Sequence, residues 1–176
     1  DWGATDGAGT DASSGAFPSP NVWYVAGGFV QSCSGGPLCF KAYITKTTDG
    51  GKTFKTVHNV TATAADAGAG VGSMTDISCV DEDTCFAVSA CDQTACADGI
   101  YASNHSHGYG GYIHRTTDGG DTWTILHFEY EMAMAHVQAI SKDEVWACGG
   151  SVGIIGHPSC WHTTDGGATW TEVKFE

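Results

Sequence analysis

Three aspartates in nearly identical surroundings are the residues whose type and spacing first suggest chemistry. They lie in the phrases TTDGGKTF, TTDGGDTW and TTDGGATW, which begin at Thr47, Thr116 and Thr163. A carboxylate held in place could serve as a nucleophile or a general base. Asp followed by two glycines is also a turn signal, because Gly adopts positive φ at little steric cost and Asp bonds nearby amides. Repetition in three turns favours a structural role for Asp49, Asp118 and Asp165.

Two other groups of side chains could do chemistry. Glu129 and Glu131 form a carboxylate pair of the kind that glycosidases use. Alternate acidic residues beside a strand end are more typical of a solvated face. His105 and His107 could supply half of a metal site, and the sequence shows no third ligand beyond a nearby cysteine pair. We therefore predict no catalytic residue, no metal and no cofactor.

The eight cysteines fall as local pairs along the chain. In a series of hairpins each such pair flanks or spans one hairpin, so we predict four local disulfides. Each would contribute about 2 kcal/mol by restricting the unfolded chain. A zinc site is the alternative for the third pair, but its C-x4-C spacing is wider than usual. The predicted pairs are Cys33 with Cys39, Cys79 with Cys85, Cys91 with Cys96, and Cys148 with Cys160.

Two glycosylation sequons begin at Asn59 and Asn104. Together with paired cysteines they favour a glycoprotein of an oxidising compartment, either secreted or in a lumen. The chain starts without Met and without a leader-like segment, so we expect a mature or excised product.

The elements that position the aspartates are hairpins. A strand-like stretch precedes and follows each TTDGG phrase, so each phrase is a hairpin corner. The aromatic residue that ends each phrase is expected to pack over the turn and, with the aspartate, to fix the hairpin register. These aromatic residues are Phe54, Trp123 and Trp170.

The three phrases resemble the S/T-x-D-x-G-x-T-W pattern of Asp-box (BNR) repeats. The surrounding residues, GYIHR at 111–115 and DEVWA at 143–147, are similar to the photosystem II stability and assembly-factor branch of that group. The resemblance implies an all-β fold of Asp-box propeller blades, and a thylakoid lumen as one location. It also implies structural roles for the box residues Thr47, Asp49, Gly51, Phe54, Thr116, Asp118, Gly120, Trp123, Thr163, Asp165, Gly167 and Trp170.

The spacing of the phrases counts blades. Asp49 and Asp118 are 69 residues apart, and Asp118 and Asp165 are 47 apart. The second value fits one four-stranded blade, and the first fits a blade with an insertion of about 20 residues. We expect a flexible arm at 1–20, without a strand, and blades at about 21–60, 72–128 and 136–176. Closed propellers need at least four blades, so we expect a protein partner or a second copy to complete the ring.

Composition excludes several functions. The 176 residues are 41% hydrophobic, enough for a core, and carry a net charge of -13. The single arginine is Arg115. Nucleic acids and anionic membranes require surfaces rich in Lys and Arg, so neither is an expected partner. No apolar run approaches about 18 residues, which argues against membrane insertion.

The loops between the second and third strands of each blade lie opposite the TTDGG turns. We predict them at Gly27 to Lys41, Ser89 to Gly111 and Gly149 to Ser159. The middle loop carries the insertion, and its aromatic and imidazole side chains could contact a protein or a glycan. The predicted ligand- or partner-binding residues are Tyr101, Asn104, His105, His107, Tyr109, Tyr112 and His157.

These features favour a non-catalytic structural or interaction subunit that docks on a protein complex or self-associates. The alternative is a secreted carbohydrate-binding lectin that uses the long loops. Sialidases, which share the repeat, bind a carboxylate with three arginines, and this chain has only Arg115. His162 lies at the repeat position of Lys46 and Arg115, so we expect an exposed strand residue there and not a catalyst.

Overall fold

The computed structural model describes residues 11–32, 38–62, 73–91, 110–130, 132–151 and 158–175. These residues form β-strands and the turns that join them. The strands are β1 (Asp11–Ala16), β2 (Trp23–Ser32), β3 (Leu38–Thr47), β4 (Lys55–Ala62), β5 (Ser73–Cys79), β6 (Cys85–Cys91), β7 (Gly110–Thr116), β8 (Thr124–Tyr130), β9 (Met132–Ala139), β10 (Val145–Ser151), β11 (Pro158–Thr163) and β12 (Thr171–Lys174).

Consecutive strands pair antiparallel into three four-stranded sheets, β1 to β4, β5 to β8 and β9 to β12. We name these sheets blade 1, blade 2 and blade 3. The predicted all-β partial propeller is therefore confirmed. Within the described ranges, no helix has the length and apolar character that a membrane crossing requires.

The predicted arm at 1–20 is wrong for its second half. Asp11–Ala16 form β1, which pairs with β2 from Asp11↔Gly28 to Ala16↔Tyr24. Small residues such as Ser13 and Gly15 have weak strand propensity, and here the backbone ladder to β2 and the burial of Ala16 decide the conformation. Residues 1–10 lie outside the described residues.

The predicted loops and the link between blades 2 and 3 were too long. Strand β2 continues to Ser32 and β3 begins at Leu38. Strand β8 runs to Tyr130 and β9 begins at Met132, so the expected gap from 129 to 135 is mostly strand. Glycines and polar residues in these stretches resembled loops, but ladder pairing keeps them extended.

Each blade has a leading face, turned to the preceding blade, and a trailing face, turned to the following blade. Side chains alternate between the two faces along a strand. In β2, Tyr24 and Ala26 lie on the trailing face and are completely buried. They belong to one apolar cluster with Cys85 and Ala87 on the leading face of blade 2.

The same relation joins blades 2 and 3. Phe86 and Val88 on the trailing face of blade 2 share a second apolar cluster with Val145 and Ala147 on the leading face of blade 3. All four side chains are completely buried. Blade 2 is thus covered on both faces, whereas the described residues cover only one face each of blades 1 and 3.

Two of the four predicted disulfides are present. Cys79–Cys85 and Cys148–Cys160 each join directly paired residues on neighbouring strands, with Cα atoms 4.0 Å apart. Cys33 and Cys96 lie outside the described residues. The predicted pairs Cys33 with Cys39 and Cys91 with Cys96 therefore stay predictions.

Candidate interaction site

Each TTDGG turn is held by a closed set of hydrogen bonds. In blade 2 the Thr116 hydroxyl donates to Asp118 Oδ1 at 2.8 Å and accepts from the Gly120 amide at 2.9 Å. The Thr122 amide donates to Asp118 Oδ1 at 2.9 Å, and its hydroxyl donates to Oδ2 at 2.6 Å. Blades 1 and 3 repeat these bonds.

These bonds keep the carboxylates ionised. Hydrogen bonds from the Thr122 and Thr169 side chains are the main reason that the pKa values of Asp118 and Asp165 fall to about 2. The pKa of Asp49 is lowered by the matching bonds from Thr53. Both oxygens of each carboxylate accept hydrogen bonds within its own turn, and the lowered pKa makes the carboxylate a weak proton acceptor.

The two glycines of each turn present backbone to the neighbouring blade. All six have positive φ, between 70° and 92°, which side chains rarely tolerate. The first glycine also donates its amide to the loop between the first two strands of its own blade. These bonds are Gly50 to the Asn21 carbonyl, Gly119 to the Asp83 carbonyl and Gly166 to the Asp143 carbonyl.

Blade 1 receives the Gly119–Gly120 turn of blade 2 in a three-residue socket. The Lys46 ammonium donates to the Gly119 carbonyl at 2.9 Å and lies 5.1 Å from the centre of the Tyr24 ring. A Cβ placed on Gly120 would lie 3.1 Å from Val57 Cγ2. Socket 1 is therefore Tyr24, Lys46 and Val57: an aromatic ring, a cation and an aliphatic side chain.

Blade 2 repeats this socket for the turn of blade 3. Arg115 Nη1 donates to the Gly166 carbonyl at 3.0 Å, and the guanidinium lies 5.6 Å from the Phe86 ring centre. A Cβ on Gly167 would lie only 2.4 Å from Leu126 Cδ1. Socket 2 is thus Phe86, Arg115 and Leu126.

Blade 3 carries a third socket, and none of the turns described in this chain fills it. Trp146 and His162 are register partners, as Tyr24 and Lys46 are in blade 1, and their rings stack 4.0 Å apart at 18°. Val173 follows Trp170 by three residues, as Val57 follows Phe54. Socket 3, formed by Trp146, His162 and Val173, is the candidate interaction site.

His162 is poised at the rim of socket 3. Its side chain is 24% exposed, less than expected for an exposed strand residue, because stacking on Trp146 covers part of it. Its Nε2 is buried within the chain, lies 3.4 Å from Glu144 Oε1 and makes no hydrogen bond with the described residues. The equivalent atoms of Lys46 and Arg115 donate to the following turn.

The leading face of blade 1 is the counterpart of socket 3. Trp23 and Val25 lie where blade 2 has Cys85 and Ala87, but they are only partly buried because no blade among the described residues packs on this face. With the 66% exposed Phe17 they line a mostly apolar cavity of about 490 Å³. This face therefore leaves apolar surface uncovered.

A polar chain links the first strands of the three blades. The Ser14 hydroxyl donates to Asp76 Oδ1, and Asp76 Oδ2 accepts from the Val137 amide at 2.9 Å. His136 Nδ1 lies 3.7 Å from Asp76 Oδ2. The carboxylate stands between the hydroxyl and the imidazole, so the three groups do not form a Ser-His-Asp nucleophile. They hold β1, β5 and β9 together.

A second polar cluster lies between blades 1 and 2. His114 Nε2 is 3.0 Å from the Ser89 hydroxyl, and its ring centre is 5.5 Å from that of His58. Burial lowers the pKa of His114 to about 3 and also lowers the pKa of His58. Both imidazoles are therefore neutral at neutral pH and serve as packed core residues.

The predicted binding residues mostly lie outside the described residues. Only Tyr112 is described. It lies in β7, partly buried, with its ring centre 6.2 Å from that of His114, so its proposed place in a recognition loop is wrong. Strand pairing extends through Gly110 and draws Tyr112 into the blade. The predicted binding residues that lie outside the described residues are Tyr101, Asn104, His105, His107, Tyr109 and His157.

The remaining sequence candidates are dispersed. The sequon residue Asn59 is exposed in β4. Glu129 belongs to β8, whereas Glu131 lies outside the described residues. Among the residues that the structure describes, no three His, Cys, Asp or Glu side chains are grouped as metal ligands would be.

The chain matches no protein-family model, and no curated protein is similar to it in sequence. Solved structures are similar in fold. One, described as YCF48 bound to D1 peptide, has a TM-score of 0.57 and 14% identity and covers 94% of this chain. Another, the GH74 xyloglucanase from Xanthomonas campestris, has a TM-score of 0.35 and 12% identity and covers 92% of this chain.

The similarity to the first of these structures supports a β-propeller fold. At this identity it shows the fold alone. The chain spans 42% of the length of the first structure and 30% of the length of the second.

Sequence reasoning found the position of His162 but missed the rest of socket 3. The socket residues do stand at fixed positions relative to each TTDGG phrase. The aliphatic residue follows the aromatic residue that ends the phrase by three positions. The cation or imidazole directly precedes the first threonine. Which side chains meet across blades depends on strand register, which becomes visible only in the folded sheets.

Proposed function

We propose that this chain is a non-catalytic interaction segment of an Asp-box propeller, and that protein docks on its uncovered blade faces. Socket 3 is the observation that carries the proposal. Two copies of the same three-residue arrangement each bind a Gly-Gly turn within the chain, and the third has the same composition and register without such a turn.

The state of the charged side chains supports a role without catalysis. Arg115, the only arginine, is committed to the Gly166 carbonyl and to the Phe86 ring. The three turn aspartates are saturated by threonine and amide donors. A sialidase-like carboxylate site would need arginines that this chain does not supply.

The similar structure of YCF48 is described as bound to a D1 peptide, which fits a propeller that binds protein. For the present chain we propose a partner polypeptide that completes the propeller. The Cys79–Cys85 and Cys148–Cys160 disulfides support an oxidising compartment, and we propose a secreted or lumenal location.

Native mass spectrometry of the unreduced protein, purified from its source, tests the proposal. We expect a complex, with either a second copy or a different protein, and a mass lower by eight hydrogen atoms per chain if all four disulfides form. A spectrum with only the 18.3 kDa chain at every concentration would contradict the proposal.

A glycan array distinguishes the lectin alternative from the proposed interaction role. Binding to defined sugars that disappears with Tyr109→Ala, in a protein that forms no complex, would favour a lectin. The proposed interaction role predicts no such binding. The Ile125→Asp variant provides a control, because Ile125 is 53% exposed on the outer strand of the middle blade.

A further inference from the structure

The chain contains one socket without a turn and one turn without a socket. Socket 3 is unfilled by any turn that the structure describes, and no blade that the structure describes precedes the Gly50–Gly51 turn of blade 1. We propose that these two features bind each other between copies: socket 3 of one chain receives the Gly50–Gly51 turn of a second. This inference rests on the proposed function and identifies the partner.

The backbone of the Gly50–Gly51 turn fits the role. Its φ values of 70° and 86° match those of Gly119–Gly120, 72° and 92°, which socket 1 binds. A side chain at the first position would meet the ammonium in socket 1, since a Cβ on Gly119 would lie 2.8 Å from Lys46 Nζ. Two consecutive glycines are therefore what such a socket accepts.

The chemistry of socket 3 matches the carbonyl that this turn offers. In sockets 1 and 2 a cation that lies over an aromatic ring donates to the first glycine's carbonyl. In socket 3 the His162 ring stacks on Trp146 with its Nε2 buried 3.4 Å from Glu144 Oε1, so the ring must rotate before Nε2–H donates to the Gly50 carbonyl of the second copy. Val173 then covers Gly51, as Val57 covers Gly120.

A second copy is the occupant because each chain carries both halves of the interface. The contact is head-to-tail, with a trailing face against a leading face, and continues the two interfaces inside the chain. Two such contacts, related by a two-fold axis, would close the pair and cover the faces that the described blades leave open. The uncovered Trp23, Val25 and Phe17 of one copy would then be covered by blade 3 of the other.

Besides the His162 ring, the Trp23 side chain must move for this contact to form. The Trp23 ring lies over Gly51: a Cβ on that glycine would be 2.4 Å from the ring. Val57 and Leu126 of the preceding blades cover the matching Gly120 and Gly167. Docking therefore requires the ring to turn away.

Blades 2 and 3 have the smaller Cys85 and Val145 at the position of Trp23. The Trp23→Val variant removes the obstacle without adding a polar group. We expect it to tighten the pair about tenfold or more, as a gain of about 1.4 kcal/mol would.

Sedimentation equilibrium of the disulfide-intact chain over a concentration series tests the inference. Wild type should reach twice its 18.3 kDa mass, and Trp23→Val should do so at lower concentration. His162→Phe keeps the stack but removes the donor, so it should weaken the pair about fivefold to tenfold. Ile125→Asp should behave like wild type.

Variants on opposite faces identify the head-to-tail arrangement. Trp146→Asp and Val25→Asp should each be monomeric alone, because every contact in a homodimer needs both faces. Mixed together, they should form a one-to-one complex through the single pair of intact faces. Far-ultraviolet circular dichroism and thermal unfolding confirm that each variant is folded.

Wild type and Trp23→Val that both remain monomeric would overturn the inference. A pair that survives Val25→Asp would overturn it as well, because that result requires a contact between like faces. Either result, together with a native complex that contains a different protein, would leave the proposed function standing and remove only the second copy as the partner.

Discussion

At the scale of single residues, the buried threonine at the start of each TTDGG phrase organises the turn. Thr47, Thr116 and Thr163 are at most 2% exposed. Each hydroxyl donates to the aspartate and accepts from the second glycine's amide. The phrase alone predicted the turn and the aspartate's bonds to amides. It did not single out this hydroxyl, because the second threonine of the pair is identical in type and differs only in the face it occupies.

Replacing Thr116 with Val should cost about 1–3 kcal/mol of unfolding free energy, because the buried Gly120 amide loses its acceptor. The neighbouring Thr117 is exposed, so Thr117→Val provides the matched control, with a change within about 0.5 kcal/mol. Urea unfolding measures both. Equal effects of the two substitutions would contradict this account of the turn.

Acid should destabilise the protein through His114. Because burial lowers its pKa to about 3, the folded state excludes a proton that the unfolded chain binds below about pH 6.5. The stabilisation is complete above pH 6.5 and is lost as the pH falls, at about 1.4 kcal/mol per unit. His58, which faces His114 from β4, contributes in the same direction.

Urea unfolding between pH 6.5 and 5 measures this slope before the turn aspartates begin to titrate. The His114→Gln variant should have a shallower slope, because its amide stays near Ser89 without titrating. An unchanged slope would show that His114 is not the group responsible.

At the scale of elements, the repeated unit is a blade together with its socket. Hairpins and blade count were readable from the turn phrases, and short apolar runs located the inner strands. Strand β1 was not readable, because Ser13, Ser14 and Gly15 resemble a linker and become a strand only through pairing with β2. The socket residues were not readable as a set, because Phe86 and Leu126 are unremarkable apolar residues until register brings them around one turn.

The socket contact should stabilise adjacent blades. Arg115→Met keeps the apolar contact with Phe86 but removes the donor to the Gly166 carbonyl, so we expect a loss of about 1.5–3 kcal/mol. Lys52→Met, at an exposed turn position, should change stability by less than about 0.5 kcal/mol. Urea unfolding compares the two. A loss at Lys52 as large as that at Arg115 would indicate a general effect of charge.

At the scale of the whole molecule, three blades leave one leading face and one trailing face uncovered. The three phrases in the sequence predicted three blades, which are too few for a closed propeller, and indicated that association with another chain supplies the rest. The sequence could not say which surface would be used, and it directed attention to the long loops opposite the turns. The described residues instead place a repeated contact on the blade faces themselves.

Salt should strengthen the pairing of two copies. Each chain carries a net charge of -13, so two copies repel each other over long distances. The screening length falls from about 30 Å at about 0.01 M salt to about 10 Å at about 0.1 M, which reduces this repulsion. The dissociation constant from sedimentation should therefore fall as salt rises. A dissociation constant that rises with salt would indicate a contact dominated by opposite charges.

Photo-crosslinking from socket 3 tests the central claim most directly. His162 is replaced with p-benzoylphenylalanine, whose rings preserve the stack on Trp146, and equal amounts of ¹⁴N- and ¹⁵N-labelled chains are mixed before irradiation. The account predicts mixed-isotope crosslinks between residue 162 and the turn at 47–54 of the second copy. Crosslinks confined to single chains, or mixed-isotope crosslinks that reach other segments, would contradict it.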